Sequence, residues 1–181
     1  MVKSLSKLIL KLFGWKEDGA FPEGKKFVVV AAPHTTAWDF IWGRLHYNSL
    51  GKSVKFMVKE KHLKFPFGTI LKKLGAIPVY LNSKSSMTDQ MINEFSIRDE
   101  FLLTITPEGT RKKIIRWKRG FYYIAKGANV PIVLGYLNYE KKTMGTGGLF
   151  YPTDDVEADM KAIKSFYVDK TAKYPESFSC E

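Results

Sequence analysis

Residues 27–39 read Phe27-Val28-Val29-Val30-Ala31-Ala32-Pro33-His34-Thr35-Thr36-Ala37-Trp38-Asp39. The unbroken apolar run Phe27–Ala32 predicts a strand buried on both faces. A threonine followed three residues later by an aspartate predicts a helix that starts at Thr36. A buried strand that passes through a short polar turn into a helix is the building unit of an α/β sheet.

The same alternation continues outward from that unit. Val54–Val58 and Ile77–Leu81 are short, β-branched or aromatic, and bounded by turn residues, which predicts two more strands. Pro66 through Leu74, stopped at Gly75, predicts a helix with proline first and glycine last. Met87–Ile97 predicts a second helix, Phe101–Thr106 a strand, Gly120–Lys126 a helix stopped at Gly127, and Val130–Leu137 another buried strand. Asp154–Ala172 predicts a closing helix, with acids in its first turn and Val156, Met160, Ile163, Phe166 and Tyr167 as its apolar stripe. There are no repeats and no low-complexity linkers, so the expectation is a single-domain α/β fold, a mixed sheet flanked by helices.

A chain of 181 residues with 45% hydrophobic content suits one domain with a sizeable core. With 29 Lys+Arg against 18 Asp+Glu, the formal charge of +11 favours a polyanionic partner: nucleic acid, an anionic membrane surface or a phosphate-bearing substrate. Cys180 is the single cysteine and can form no internal disulfide, which fits a reducing, cytosolic setting. At the N-terminus, Val2, Leu5, Leu8, Ile9, Leu12 and Phe13 recur at helical spacing while Lys3, Lys7, Lys11 and Lys16 interleave. Residues 1–15 therefore predict a short basic amphipathic helix, too short and too charged to span a bilayer and without the pattern of a secretory signal. It suits the membrane interface, with Trp15 near the headgroups and the lysines on anionic lipid. An ordinary surface helix packed on the core has the same pattern.

Two polar clusters follow strands, the position at which reactive groups gather in open α/β sheets. In the first, His34 and Asp39 are five positions apart, about 140° around a helix, so they meet only if His34 lies in the loop before it. With Thr36 as N-cap, Asp39 is the third helical residue, near enough to hold the imidazole as a general base. The same Thr36-Ala37-Trp38-Asp39 is also a capping box, in which the carboxylate simply bonds backbone N–H groups. In the second cluster, Thr106-Pro107-Glu108-Gly109-Thr110-Arg111, a turn presents backbone N–H groups, a carboxylate and a guanidinium whose fork suits phosphate. Lys112, Lys113, Arg116, Lys118 and Arg119 extend the positive surface, and a solvated polar loop is the plain alternative. His46 and His62 have no acid partner at useful spacing and receive no role. There is no HExxH and no Cys/His cluster, so no metal is expected.

The block from His34 to Asp39, Pro107-Glu108-Gly109-Thr110-Arg111, and the strand Val130-Pro131-Ile132-Val133 together resemble the glycerol-phosphate/lysophosphatidic acid acyltransferase family. Between them, Lys59, Pro66-Phe67-Gly68 and Leu74-Gly75-Ala76-Ile77-Pro78-Val79 resemble that family's second motif. The four blocks occur in order over roughly residues 25–137, within a catalytic domain set at residues 25–181. The resemblance implies acyl transfer from acyl-CoA or an acyl carrier protein thioester, as co-substrate with no other cofactor, to the hydroxyl of a lysolipid. It implies His34 as base, Asp39 as its orienting partner, Glu108, Gly109, Thr110 and Arg111 at the acceptor, and Lys59 as a second cation. The short N-terminal helix suggests peripheral attachment at the cytoplasmic face of the membrane, where the thioester donor is soluble and the acceptor lies in the leaflet. One position departs: Leu81 stands where the second motif commonly carries a phosphate-binding arginine. A phosphate-free acceptor such as an amino-acid lipid, or a catalytically silent lipid-binding relative, is the alternative.

Rival classes fit less well. The 14% aromatic residues are spread through apolar strand and helix patterns rather than interleaved with cations, which argues against a nucleic-acid partner. A serine hydrolase needs a Gly-x-Ser-x-Gly elbow, which the chain lacks.

Overall fold

A computed structural model of the chain, describing residues 2–64 and 66–180, places the valine run in the central strand of a seven-stranded sheet. The elements are α1 (Val2–Leu12), β1 (Lys16–Asp18), β2 (Lys26–Ala32), α2 (Ala37–Ser49), β3 (Val54–Lys59), α3 (Phe67–Lys73), β4 (Ala76–Val79), α4 (Met87–Ile97), β5 (Phe101–Ile105), α5 (Gly120–Gly127), β6 (Ile132–Asn138), β7 (Thr143–Phe150) and α6 (Val156–Ser165). The strand order is β1-β7-β6-β2-β5-β3-β4. Every pairing is parallel except β6 with β7, so the sheet is mixed.

Strand alternation divides the core between the two faces of the sheet. Val28 and Val30 join a cluster with Met91 and Phe95 of α4, Phe121 and Ile124 of α5, and Met160 and Ile163 of α6. Phe27 and Val29 point the other way, to Tyr47 of α2 and to Val54, Leu102 and Val133. A third cluster binds α1 through Leu10 to Trp15, Trp42, Leu137 and Met144.

Four sequence expectations change. The closing helix spans Val156–Ser165 rather than Asp154–Ala172. Its start is set by Asp155, which accepts from the Ala158 N–H at 2.9 Å. Beyond it the chain drops Tyr167 onto the sheet, where the hydroxyl lies 3.2 Å from both the Val30 and Gly135 carbonyls. The following segment is then tied to the end of β6, with the Asn138 amide donating to the Asp169 carbonyl and the Tyr139 N–H to that of Thr171.

Second, β1 and β7 are strands that their composition conceals. β1 is Lys-Glu-Asp with all three residues exposed, and β7 carries Gly145, Gly147 and Gly148. Those glycines mark close approach rather than a loop. A Cβ on Gly145 would lie 1.8 Å from the Asp18 carbonyl oxygen, and one on Gly147 2.0 Å from the Phe166 ring. The sheet therefore begins at Lys16, upstream of residue 25. Third, Trp15 is no interfacial anchor: it is buried at 5% exposure, with its ring 5.8 Å from that of Trp42 and 5.2 Å from that of Tyr139. Fourth, the strand expected at Ile77–Leu81 ends at Val79, because Gln90 of α4 accepts from the Tyr80 N–H and donates to the Tyr80 carbonyl.

Gly145→Ala forces β1 away from β7 and is expected to cost about 2 kcal/mol or more of stability, as for other overpacked sites. Gly43→Ala in α2, whose new Cβ would meet nothing within 4 Å, is expected to gain up to about 1 kcal/mol from helix propensity. Urea denaturation midpoints of the two variants check both signs.

Candidate active site

The turn after β2 puts His34 and Asp39 together. Thr36 is the N-cap of α2 and Asp39 its third residue, with the capping box complete. One oxygen, Asp39 Oδ2, accepts from the Thr35 N–H at 2.8 Å and the Thr36 N–H at 2.9 Å, and lies 3.3 Å from His34 Nδ1. The helix-cap reading and the catalytic reading of this carboxylate thus coexist in one group. The other oxygen, Oδ1, accepts from the Tyr139 hydroxyl at 2.5 Å. Burial, and then the bond to Asp39, raise the Tyr139 phenol well above its ordinary pKa, so it stays a donor at any working pH. With Nδ1 turned to Asp39, Nε2 is the ring nitrogen left to act as a base.

Glu108 approaches the same turn from the end of β5. Its Oε1 accepts from the His34 backbone N–H at 2.9 Å. The residue is only 3% exposed and does not line the cavity described below. The resemblance places it at the acceptor; in the structure its carboxylate holds the backbone of His34 in the turn between β2 and α2. Burial pushes its carboxyl up to about 7, opposed by backbone N–H bonds that include the one from His34. Its second oxygen, Oε2, has no hydrogen-bond partner among the described residues.

A cavity of about 460 Å³ opens at the carboxyl ends of β2, β3 and β5. His34 and Asp39 line it, together with Lys59 and Gly109. Under α2 its wall is apolar, with Phe40 and Phe56 at a ring separation of 5.0 Å and Val54 and Tyr47 beyond. Gly43 faces open space there, which keeps the groove clear beneath the helix. Toward α5 the lining is Gly109, Lys118, Gly120 and Phe121.

Two other residues expected at the site do not line this cavity. Arg111 is exposed and away from the cavity, and Thr110 uses its hydroxyl to accept from the Lys112 N–H at 3.3 Å within its own turn. Other residues come to light only in three dimensions. Tyr139 is a hundred positions from the carboxylate it binds. Arg44, also on the cavity wall, donates to the Val54 carbonyl at 3.0 Å. His46 does find an acid: Glu17 of β1, whose Oε1 is 3.5 Å from His46 Nδ1 and also accepts from the Ser49 hydroxyl. Burial lowers the His46 pKa and the Glu17 charge partly restores it. The pair is separated by 29 positions, and nothing in the sequence signals it.

A family model described as Acyltransferase matches residues 16–134, a span that contains His34, Asp39, Lys59 and Glu108–Arg111. Among solved structures the chain is similar to that of the 1-acyl-sn-glycerophosphate (LPA) acyltransferase PlsC from Thermotoga maritima. The TM-score is 0.61 at 16% identity, over 94% of this chain and 80% of that one. At that identity the likeness speaks to the fold. A sequence comparison with curated proteins gives no match.

Folding raises the Glu108 pKa from 4.5 to about 7, so the folded chain binds the proton more tightly than the unfolded one. Glu108 therefore lowers stability progressively as pH rises through that window, and the loss is complete above it. Glu108→Gln keeps a carbonyl acceptor for the His34 N–H and cannot ionise. Wild-type stability relative to Glu108→Gln is expected to fall by up to about 1.4 kcal/mol per pH unit across the window. Denaturation of both proteins from about pH 5 to about pH 8 measures the slope.

Proposed function

Because this chain belongs to the acyltransferase family, whose model spans residues 16–134, we propose that it moves a fatty acyl group from acyl-CoA or an acyl carrier protein thioester to the hydroxyl of a lysolipid such as lysophosphatidic acid. The observation that carries this reading is a histidine–carboxylate pair at the opening of an apolar groove. Such a pair suits a substrate whose reacting oxygen is polar and whose remainder is hydrocarbon.

In this mechanism the acceptor hydroxyl gives its proton to His34 Nε2 as its oxygen attacks the thioester carbonyl carbon. The C–S bond then breaks, and the departing thiolate takes the same proton back from the imidazolium. Asp39 fixes the ring so that Nδ1–H faces the carboxylate and stabilises the positive charge between the two steps. The base serves both proton transfers, so no covalent enzyme intermediate is required.

Attachment to an anionic membrane surface, at its cytoplasmic face, is part of the same proposal, and α1 supports it. The helix packs on α2 through Leu10 and through Ser6, which is 2% exposed, while Leu5, Leu8, Leu12 and Phe13 are all more than half exposed. Trp38 and Ile41 of α2 add exposed apolar surface beside the site. Lys3, Lys7 and Lys11 are exposed as well, where they can meet anionic headgroups. No helix among the described residues is long and apolar enough to cross a membrane, so contact by this face is the interfacial mode.

His34→Ala is expected to lower acyl transfer from long-chain acyl-CoA to lysophosphatidic acid by about 100-fold or more. Equal turnover by the variant and the wild type would sink the mechanism. Replacing Leu5, Leu8 and Leu12 with serine leaves the buried contacts intact and is expected to abolish co-sedimentation with vesicles of phosphatidylglycerol. Undiminished binding would show that this face of α1 does not meet lipid.

A further inference from the structure

Of the cations that the resemblance places at an acceptor phosphate, Lys59 lines the cavity and Arg111 does not. Arg111 is exposed outside it, and Leu81, in the position where the resemblance calls for arginine, is 59% exposed. Lys118 is at the cavity instead. Its backbone N–H donates to the Pro107 carbonyl at 2.8 Å, which fixes it beside the Glu108-Gly109 turn. Its side chain lies across the bare backbone of Gly109: Nζ, Cε and Cδ are 2.8, 2.9 and 3.0 Å from where a Cβ on that glycine would be. Gly109 also has a φ of +63°, so a side chain there is disfavoured twice over.

Two further features favour an anion at this end. Lys59 lines the same cavity, and neither it nor Lys118 forms an ion pair with a carboxylate among the described residues. Helix α5 begins at Gly120 with no side-chain cap, and Gly120 and Phe121 line the cavity too. An uncapped helix start carries unclaimed N–H groups and the positive end of the helix dipole. Two lysines without an ion pair and a helix start, all lining one cavity, fit a phosphomonoester.

We propose that Lys118 is the specificity-determining residue that holds the acceptor's phosphate, with Lys59 as its second cation, so that the protein selects lysolipids bearing a phosphomonoester over neutral ones. This rests on the acyltransferase reading above, and the shared ligand chemistry, a phosphate ester, also occurs in coenzyme A.

The test is binding to the full chain carrying His34→Ala, so that no turnover intervenes. Titration calorimetry compares short-chain lysophosphatidic acid, the matching monoacylglycerol and acyl-CoA. Adding Lys118→Ala is expected to weaken lysophosphatidic acid about tenfold or more, to change monoacylglycerol less than about threefold, and to be largely reversed by Lys118→Arg. Equal weakening of both lipids, or no change in either, overturns the proposal. So does a loss confined to acyl-CoA, which assigns the site to the donor, or a loss produced by Arg111→Ala instead. Failure of the wild type to acylate any lysolipid would refute the function proposed above, while the binding comparison would still decide the role of Lys118.

Discussion

The Asp39 carboxylate is the group on which the site depends. A buried carboxylate is tolerated only when its oxygens are well partnered, and here the Thr35 and Thr36 N–H groups, the Tyr139 hydroxyl and the His34 imidazole surround it. Three of those partners belong to the turn between β2 and α2, so forming the helix start and orienting the base are one event. A cap of this kind contributes about 1 kcal/mol to a helix. Its larger consequence is geometric, because the imidazole inherits the rigidity of a helix terminus. Glu108 completes the hold from β5 by bonding the backbone of His34, so the strand on one side and the helix on the other fix the same residue.

The fourth partner links the site to the N-terminal region. Tyr139 lies just past β6, its ring 5.2 Å from that of Trp15, which in turn packs with Trp42 and Leu10. The buried side of α1 is thus joined to the Asp39 carboxylate through a short chain of packed rings. The proposed membrane face, formed by α1 and the first turns of α2, lies on the side of the sheet opposite α4, α5 and α6. The groove beneath α2 lies on the same side as α1, whereas Lys118 and the start of α5 come from the other. On the proposed reading, acyl chain and head group occupy these two ends, with the base between them.

Much of this was legible along the chain. The valine run, the Thr-x-x-Asp start and the Pro-first, Gly-last segments each encode a local preference, and the helix predicted at Met87–Ile97 has those bounds in the structure. β1 and β7 were illegible because their residues were selected by neighbours rather than by strand propensity. Lys-Glu-Asp carries no apolar alternation, and the glycines of β7 are explained only by the carbonyl of Asp18 and the ring of Phe166. The closing helix is shorter than its apolar stripe for a related reason: Phe166 and Tyr167 continue the stripe, but Tyr167 reaches its place under the sheet by leaving the helix.

Sequence by itself determined the α/β class, the pairing of His34 with Asp39 and the blocks that mark the family, because each is written in residues close together or in a fixed order. Tertiary structure decided which charges share a volume. It turned Glu108 inward, set Arg111 outside, brought Lys118 across Gly109 and supplied Tyr139 from just past β6 and Glu17 from β1. Local spacing dictates direction within one element, whereas a cavity is assembled from the ends of several, and the register between strands is what selects its walls.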